Sequence, residues 1–98
     1  MNKTEHLLTC LMEECAEIQK VTAKALRFGL DDHAPDEPEV TNSEGIAIEC
    51  IDLFAVIEML EEIGAIPKLS KSERMQQKKD KVSKYMKYAE DRRTIISA

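Results

Sequence analysis

The sequence contains few cysteine and aromatic residues. Among its 98 residues it has three cysteines, no tryptophan and only 4% aromatic side chains. There is no Cys-x-x-Cys pair, and a zinc site would need more soft ligands than these. We expect Cys10, Cys15 and Cys50 to be reduced and to pack as small core residues, which is typical of a cytoplasmic protein.

Long apolar runs and excess positive charge are also missing. No stretch approaches the roughly 20 apolar residues that a membrane-spanning helix needs, and the first ten residues lack the pattern of a secretory leader. The net charge is −5, whereas a nucleic acid polymer selects a basic surface. We therefore expect neither a membrane nor a nucleic acid polymer as a partner. A mononucleotide remains compatible with this charge, because a metal ion can neutralise its phosphates.

Helical periodicity fills most of the chain, and no strand pattern is convincing. Apolar residues recur at spacings of three and four in three segments, residues 3–28, 41–63 and 70–93. The first two are separated by a polar loop, residues 30–43, whose prolines forbid a continuous helix. The length predicts one domain, residues 1–98, with a modest core. The predicted fold is all-α: an antiparallel helical bundle protomer that oligomerisation completes.

Capping residues indicate where the predicted helices begin. Thr4 is a candidate N-cap for the first helix. Thr41 and Glu44 have the spacing of a capping box, in which each residue's side chain accepts from the other's backbone N–H, and they precede the second helix. Ser70 and Glu73 have the same spacing before the third helix.

The second helix is unusually apolar. Between residues 45 and 57 its only charged residues are Glu49 and Asp52, and a helix that is apolar nearly all round is buried on most of its sides. One small bundle cannot cover that much surface, so we expect a homodimer or homotetramer. Phe28 and Phe54 are expected in the core.

Two pairs of carboxylates interrupt the apolar stripes of the first two helices. At 100° per residue, Glu14 falls inside the stripe of the first helix, between Leu11 and Ile18, and Glu17 borders it. Glu49 continues the stripe of the second helix, and Asp52 borders it. Residues three apart face the same way, and a buried carboxylate without a partner is costly. Two such helices packed antiparallel could place all four carboxylates around one cation.

The ligand chemistry favours a hard divalent ion. Four carboxylates in one place repel each other unless a cation binds or some take up protons, and oxygen ligands suit Mg²⁺, with Mn²⁺ as a substitute. A di-iron bundle would need Glu-x-x-His on two helices, and neither His6 nor His33 lies three residues after a glutamate. Salt bridges are the alternative explanation, since 34% of the residues are charged.

The same residues resemble a known family. Glu13-Glu14-Cys15-Ala16-Glu17 and Glu49-Cys50-Ile51-Asp52 are similar to the EExxE…ExxD signature of the MazG-like all-α nucleoside triphosphate pyrophosphohydrolases, in particular small bacteriophage-type members. The resemblance implies a Mg²⁺-dependent enzyme that cleaves a nucleoside or deoxynucleoside triphosphate to the monophosphate and pyrophosphate. The metal ligands that it implies are Glu14, Glu17, Glu49 and Asp52.

Further residues are candidates for catalysis and substrate binding. Glu13 or Glu17 could accept the proton of the attacking water. Carboxylates cannot hold a triphosphate directly, so basic side chains should hold its far phosphates. The candidates are Lys24, Arg27, Lys78, Lys81 and Lys84. For any single lysine, a solvated basic face is an equally good explanation.

Some features depart from the family pattern and leave alternatives open. The 31 residues between Glu17 and Glu49 are a longer connection than is usual in compact MazG-like proteins, and three helices are fewer than a protomer of the family often has. One alternative is a non-catalytic helical interaction module whose carboxylates pair with basic residues of a partner chain. Another keeps the fold but cleaves a different pyrophosphate, such as a nucleotide sugar or a phosphoribosyl compound.

Overall fold

The computed structural model describes residues 1–96, and they are mostly helical. The three helices are α1 (Lys3–Phe28), α2 (Asn42–Glu62) and α3 (Ser72–Asp91). Within the described residues there is no strand, only an isolated bridge between His33 and Thr41. The predicted all-α class is confirmed, whereas the bundle and its completion by oligomerisation stay predictions.

The chain divides into two compact units, Met1–Pro67 and a second that begins at Lys68. The first contains α1, the loop that follows it and α2, and the second contains α3. The single domain predicted over residues 1–98 stays a prediction, and its last two residues lie outside those described. No helix in the described part of the chain has the length and apolar character needed to cross a bilayer.

Helices α1 and α2 pack against each other as an antiparallel pair. Positions late in α1 lie near positions early in α2, and the order reverses along the pair. From the loop outward, Val21 meets Gly45, Glu14 lies beside Glu49, and Leu7 lines one cavity with Met59. This register decides which side chains of the two helices can share a site.

The predicted apolar stripes form the packed faces. On α1 the stripe residues are all at least half-buried, and they are Leu7, Leu11, Ile18, Val21 and Ala25. On α2, Leu60 is fully buried and Leu53 and Val56 are half-buried, whereas Ile63 at the end of the stripe is exposed. Burial of a leucine side chain such as that of Leu60 contributes about 1.5–3 kcal/mol.

Capping boxes begin both helices of the first unit. On α1 the cap is Asn2, whose Oδ1 accepts from the Glu5 N–H at 2.8 Å, while a Glu5 carboxylate oxygen accepts from the Asn2 N–H at 3.2 Å. Thr4, the predicted cap, lies inside the helix, because Asn2 and Glu5 together satisfy two free donors. The predicted box of Thr41 and Glu44 is confirmed. Hydrogen bonds from the Thr41 backbone and side chain hold the pKa of Glu44 below its usual value.

The start of α3 differs from the prediction. The helix begins at Ser72 with Lys71 as its N-cap, and no side chain caps it. Ser70 and Glu73 therefore form no capping box: Ser70 lies outside the helix, so its hydroxyl is not in the cap position that the motif requires. The helix has no buried residue.

The apolar surface is less buried than the sequence predicts. Phe28 and Phe54, expected in the core, are 55% and 60% exposed, and Ile48 and Ile51 are exposed on α2 as well. The physical reason is that α1 covers one side of α2, and a single partner helix cannot cover the other. The cysteines show the same trend, with Cys10 and Cys50 half-buried but Cys15 exposed.

The loop between α1 and α2 is tied together at its two ends by a buried asparagine. Asn42 donates from its side-chain Nδ2 to the carbonyl of Gly29 at 2.8 Å and from its backbone N–H to the carbonyl of Asp32 at 2.8 Å. The N–H of Ser43 donates to the carbonyl of Leu30 at 3.0 Å. Gly29 has φ +101° and ψ 150°, a conformation that only glycine adopts at low cost.

Replacement of Asn42 should therefore weaken the fold of the loop. Asn42→Ala removes a part-buried hydrogen bond to the Gly29 carbonyl, so we expect the free energy of unfolding to fall by about 0.5–1.5 kcal/mol. Ser43→Ala at the exposed neighbouring position should change it by less than about 0.5 kcal/mol. Urea unfolding measures both, and equal effects of the two variants would contradict the role assigned to Asn42.

Candidate metal centre

Three carboxylates from two helices converge between α1 and α2. One oxygen each of Glu14, Glu49 and Asp52 lies within 4.8 Å of the other two. Glu14 comes from the middle of α1, and the other two lie one turn apart on α2. The antiparallel register places Glu14 opposite them, so the structure brings together three of the four residues predicted as metal ligands.

Glu14 is in the least favourable environment of the three. It lies on the packed face of α1 and is half-buried, and its Oε2 atom is buried without any hydrogen-bond partner. Burial raises the pKa of Glu14, and the charges of Asp52 and Glu49 raise it further, with smaller contributions from Glu17 and Glu13. An ionised carboxylate with an unpaired buried oxygen is costly, so this position favours either a proton or a cation.

The donor set fits a hard divalent cation. All three groups offer carboxylate oxygens, which are the ligands that Mg²⁺ and Mn²⁺ prefer. Oxygens on opposite sides of one Mg²⁺ ion are about 4.2 Å apart, given bonds of roughly 2.1 Å. The 4.8 Å spread of this cluster is close to that limit, so small side-chain rotations would close it around an ion. A cation there would also supply the partner that Glu14 Oε2 lacks.

Glu17 and Glu13 lie beside this cluster on α1. Both side chains are exposed, and neither belongs to the group whose oxygens approach within 4.8 Å. Glu17 is one turn from Glu14 on the same side of the helix. The roles of Glu17 as a fourth ligand and of Glu13 and Glu17 as proton acceptors stay predictions.

The predicted phosphate-binding residues lie in different parts of the chain. Lys24 lines a cavity next to the loop, and the Arg27 guanidinium lies over the Phe28 ring, 4.7 Å from its centroid. The three lysines of α3 are exposed and belong to the second unit, and they are Lys78, Lys81 and Lys84. Their part in substrate binding stays a prediction.

A cavity towards the loop from the carboxylates is the feature that the sequence analysis missed. It has a volume of about 760 Å³ and lies between the end of α1, the loop and the start of α2. Asn42 helps to form it by tying the two ends of the loop. The one signal in the sequence was Gly45, because a glycine is unfavourable inside a helix unless packing or function requires it.

The metal-free protein should gain stability when Glu14 loses its charge. The folded state raises the pKa of Glu14 above its ordinary value of 4.5. The folded protein therefore binds the proton of this carboxyl group more tightly than the unfolded chain does. Stability therefore falls as pH rises from 4.5 towards the folded pKa, and stays lower above it. In EDTA at pH 7 we expect Glu14→Gln to raise the free energy of unfolding.

The pH dependence distinguishes this effect from a change in packing. At about pH 3.5 the carboxyl is protonated in both states, so the advantage of Glu14→Gln should disappear. Glu58→Gln, at an exposed position of α2, should show no such difference between the two pH values. A Glu14→Gln variant less stable than the parent at pH 7 without metal would show that repulsion at this site is absent.

Comparisons with known proteins identify no family for this chain. No protein-family model, no characterised protein and no solved structure matches the chain. The resemblance of residues 13–17 and 49–52 to the MazG-like signature therefore stays a prediction. What the chain can bind has to be inferred from the carboxylates and the cavity beside them.

Proposed function

We propose that this protein is a Mg²⁺-dependent nucleoside triphosphate pyrophosphohydrolase, which converts a nucleoside or deoxynucleoside triphosphate to the monophosphate and pyrophosphate. The observation that carries the proposal is the convergence of Glu14, Glu49 and Asp52 within 4.8 Å between antiparallel helices. The similarity of residues 13–17 and 49–52 to the EExxE…ExxD signature supports the choice of reaction. A cytoplasmic location fits an enzyme with three free cysteines.

In this proposal the acidic residues of α1 and α2 hold the metal ion. Glu14, Glu49 and Asp52 hold the ion, and Glu17 completes the ligand set from the next turn of α1. When bound, Mg²⁺ supplies charge neutralisation to the phosphates and makes water more acidic, and Mn²⁺ can replace it. The raised pKa of Glu14 is consistent with a site built to hold a positive charge.

Hydrolysis then needs a proton acceptor and a pyrophosphate leaving group. Water forms a bond to the α-phosphorus, and the bond from that phosphorus to the α,β-bridging oxygen breaks. Glu13 or Glu17, both exposed beside the cluster, accepts the proton of the water. Basic side chains balance the charge of the departing pyrophosphate, and the candidates are Lys24, Arg27, Lys78, Lys81 and Lys84.

Product analysis tests the reaction directly. We expect incubation with the eight common NTPs and dNTPs plus Mg²⁺ to release a monophosphate and pyrophosphate from at least one of them, and EDTA to stop the release. Release of orthophosphate with a diphosphate would contradict the position of attack. A protein that hydrolyses none of the eight, and that Mg²⁺ and Mn²⁺ do not stabilise, would favour the non-catalytic interaction module.

Glu49→Gln tests the metal centre within that reaction. The substitution keeps the shape of the side chain and removes one ligand charge, so hydrolysis should fall by at least about 100-fold, because even groups that only support metal ligands are worth about 10–100-fold. The fold should be retained, with equal or greater stability in EDTA. Glu58→Gln serves as the matched control on the same helix and should keep the parent rate.

A homo-oligomer is the second part of the proposal. The side of α2 away from α1 exposes Ile48, Ile51 and Phe54, and a contiguous apolar patch of this kind marks an interaction surface. We expect sedimentation at micromolar concentration to give the mass of a dimer or tetramer. Ile51→Glu should shift it towards the monomer, whereas Gln19→Glu at an exposed polar position of α1 should not. A parent protein that is a soluble monomer would contradict this part.

A further inference from the structure

The cavity between the end of α1, the loop and the start of α2 has the size of a small-molecule site. Its volume of about 760 Å³ falls within the roughly 300–1,000 Å³ that ligand pockets occupy. Val21 and Gly45 line it where the two helices pack tightly, since a Cβ built on Gly45 would lie 3.0 Å from Val21 Cγ2. Residues 32–37 of the loop line another side.

The cavity lies one to two helical turns from the candidate metal centre. Gly45 precedes Glu49 by four residues, about 6 Å along α2, and Val21 follows Glu14 by seven, about 10 Å along α1. A nucleotide with its phosphates at the carboxylates would have its base beyond the pentose ring, and towards the loop that direction leads to the cavity. This step rests on the proposed function for the location of the phosphates.

The residues that line the cavity suit an uncharged base better than a phosphate. Phe28 presents a ring that is 55% exposed, with the Arg27 guanidinium over it, and the surface that Arg27 leaves open can stack on a base of any kind. The acidic residues that line the cavity are Asp32, Asp36 and Glu37, against a single lysine, Lys24, among the described residues. In this arrangement Lys24 lies at the nucleoside end, and the departing pyrophosphate is left to the other basic candidates. Surplus negative charge repels phosphates and keto oxygens and attracts N–H donors.

Backbone hydrogen bonds hold the acidic part of the loop in place. The N–H of Glu37 donates to the carbonyl of Ala34 at 3.0 Å, and the N–H of Val40 donates to the carbonyl of Glu37 at 3.2 Å. These two turns enclose Asp36 and Glu37. Together with the bonds of Asn42 at the loop ends, they keep the carboxylates on the cavity side of a loop that has little other structure.

We propose that this cavity binds the nucleoside end of the substrate and that its carboxylates select bases with an exocyclic amino group. Cytosine and adenine present an amino group that donates N–H to a carboxylate, where uracil and hypoxanthine present a keto oxygen that can only accept. A keto oxygen facing these acceptors loses its hydrogen bond to water without replacement. The cavity therefore prefers cytidine to uridine and adenosine to inosine.

Binding of free nucleosides tests the inference without any need for hydrolysis or metal. NMR titration of the protein in EDTA with cytidine should shift the amide signals of residues 30–41, and cytidine should bind about tenfold or more tightly than uridine. The double variant Asp36→Asn, Glu37→Gln should lose this preference. The matched control, Asp31→Asn, Glu39→Gln, removes two charges from the same loop at residues that do not line the cavity, and should keep it.

Three results would overturn the inference. They are equal affinities for cytidine and uridine, shifts confined to residues outside the cavity, and a preference that both double variants keep. Hydrolysis gives an independent reading: in the parent the ratio of kcat/KM for CTP over UTP should exceed about tenfold, and in the Asp36→Asn, Glu37→Gln variant it should approach one. If no triphosphate is hydrolysed but cytidine is still preferred, the proposed function fails and the nucleoside cavity stands.

Discussion

The contact between Val21 and Gly45 sets the register of α1 on α2, and the candidate site depends on that register. Gly45 has no Cβ, and a side chain there would meet Val21 at 3.0 Å, so the two helices approach closely at the end near the loop. One and two turns back along α1 lie Glu17 and Glu14, while one and two turns forward along α2 lie Glu49 and then Asp52–Leu53. A shift of α1 by one residue would rotate Glu14 by about 100° out of the interface and separate the three carboxylates.

The same register imposes an electrostatic cost on the metal-free protein. Glu14 carries a buried oxygen without a partner, and its pKa is raised first by burial and then by the carboxylates of α2. A position used only for stability would favour an apolar residue, since the neighbours in its stripe are apolar. Uncompensated charge of this kind is typical of sites where function competes with stability, and a cation would offset it.

Because the core of the first unit is small, much of its apolar and acidic surface is left exposed. Ala25 and Leu60 are the buried apolar residues of the described chain, which is little for a domain that has to order this many residues. The outer face of α2 remains apolar, and the cavity under the loop has an acidic lining. These two surfaces differ in chemistry, and the proposals give them different partners, a second copy of the chain for the first and a nucleoside for the second.

Local sequence is enough to predict the three helices, the stripes on α1 and α2, and the phase of the carboxylates within those stripes. These are local properties: the period of 3.6 residues per turn fixes which side chains share a face, and the box of Thr41 and Glu44 needs only neighbouring residues. The choice of Asn2 over Thr4 as cap, and the start of α3 at Ser72, depended on backbone geometry that composition does not fix.

The burial of each face and the fold of the loop depend on packing between distant parts of the chain. Phe28 and Phe54 are exposed because a face is buried only where another element lies on it, and α1 covers one side of α2. The cavity exists because Asn42 ties the two ends of the loop, through hydrogen bonds to Gly29 and to Asp32. The bond to Gly29 joins residues 13 apart. No periodic pattern encodes such a contact, because it depends on the path of the chain between them.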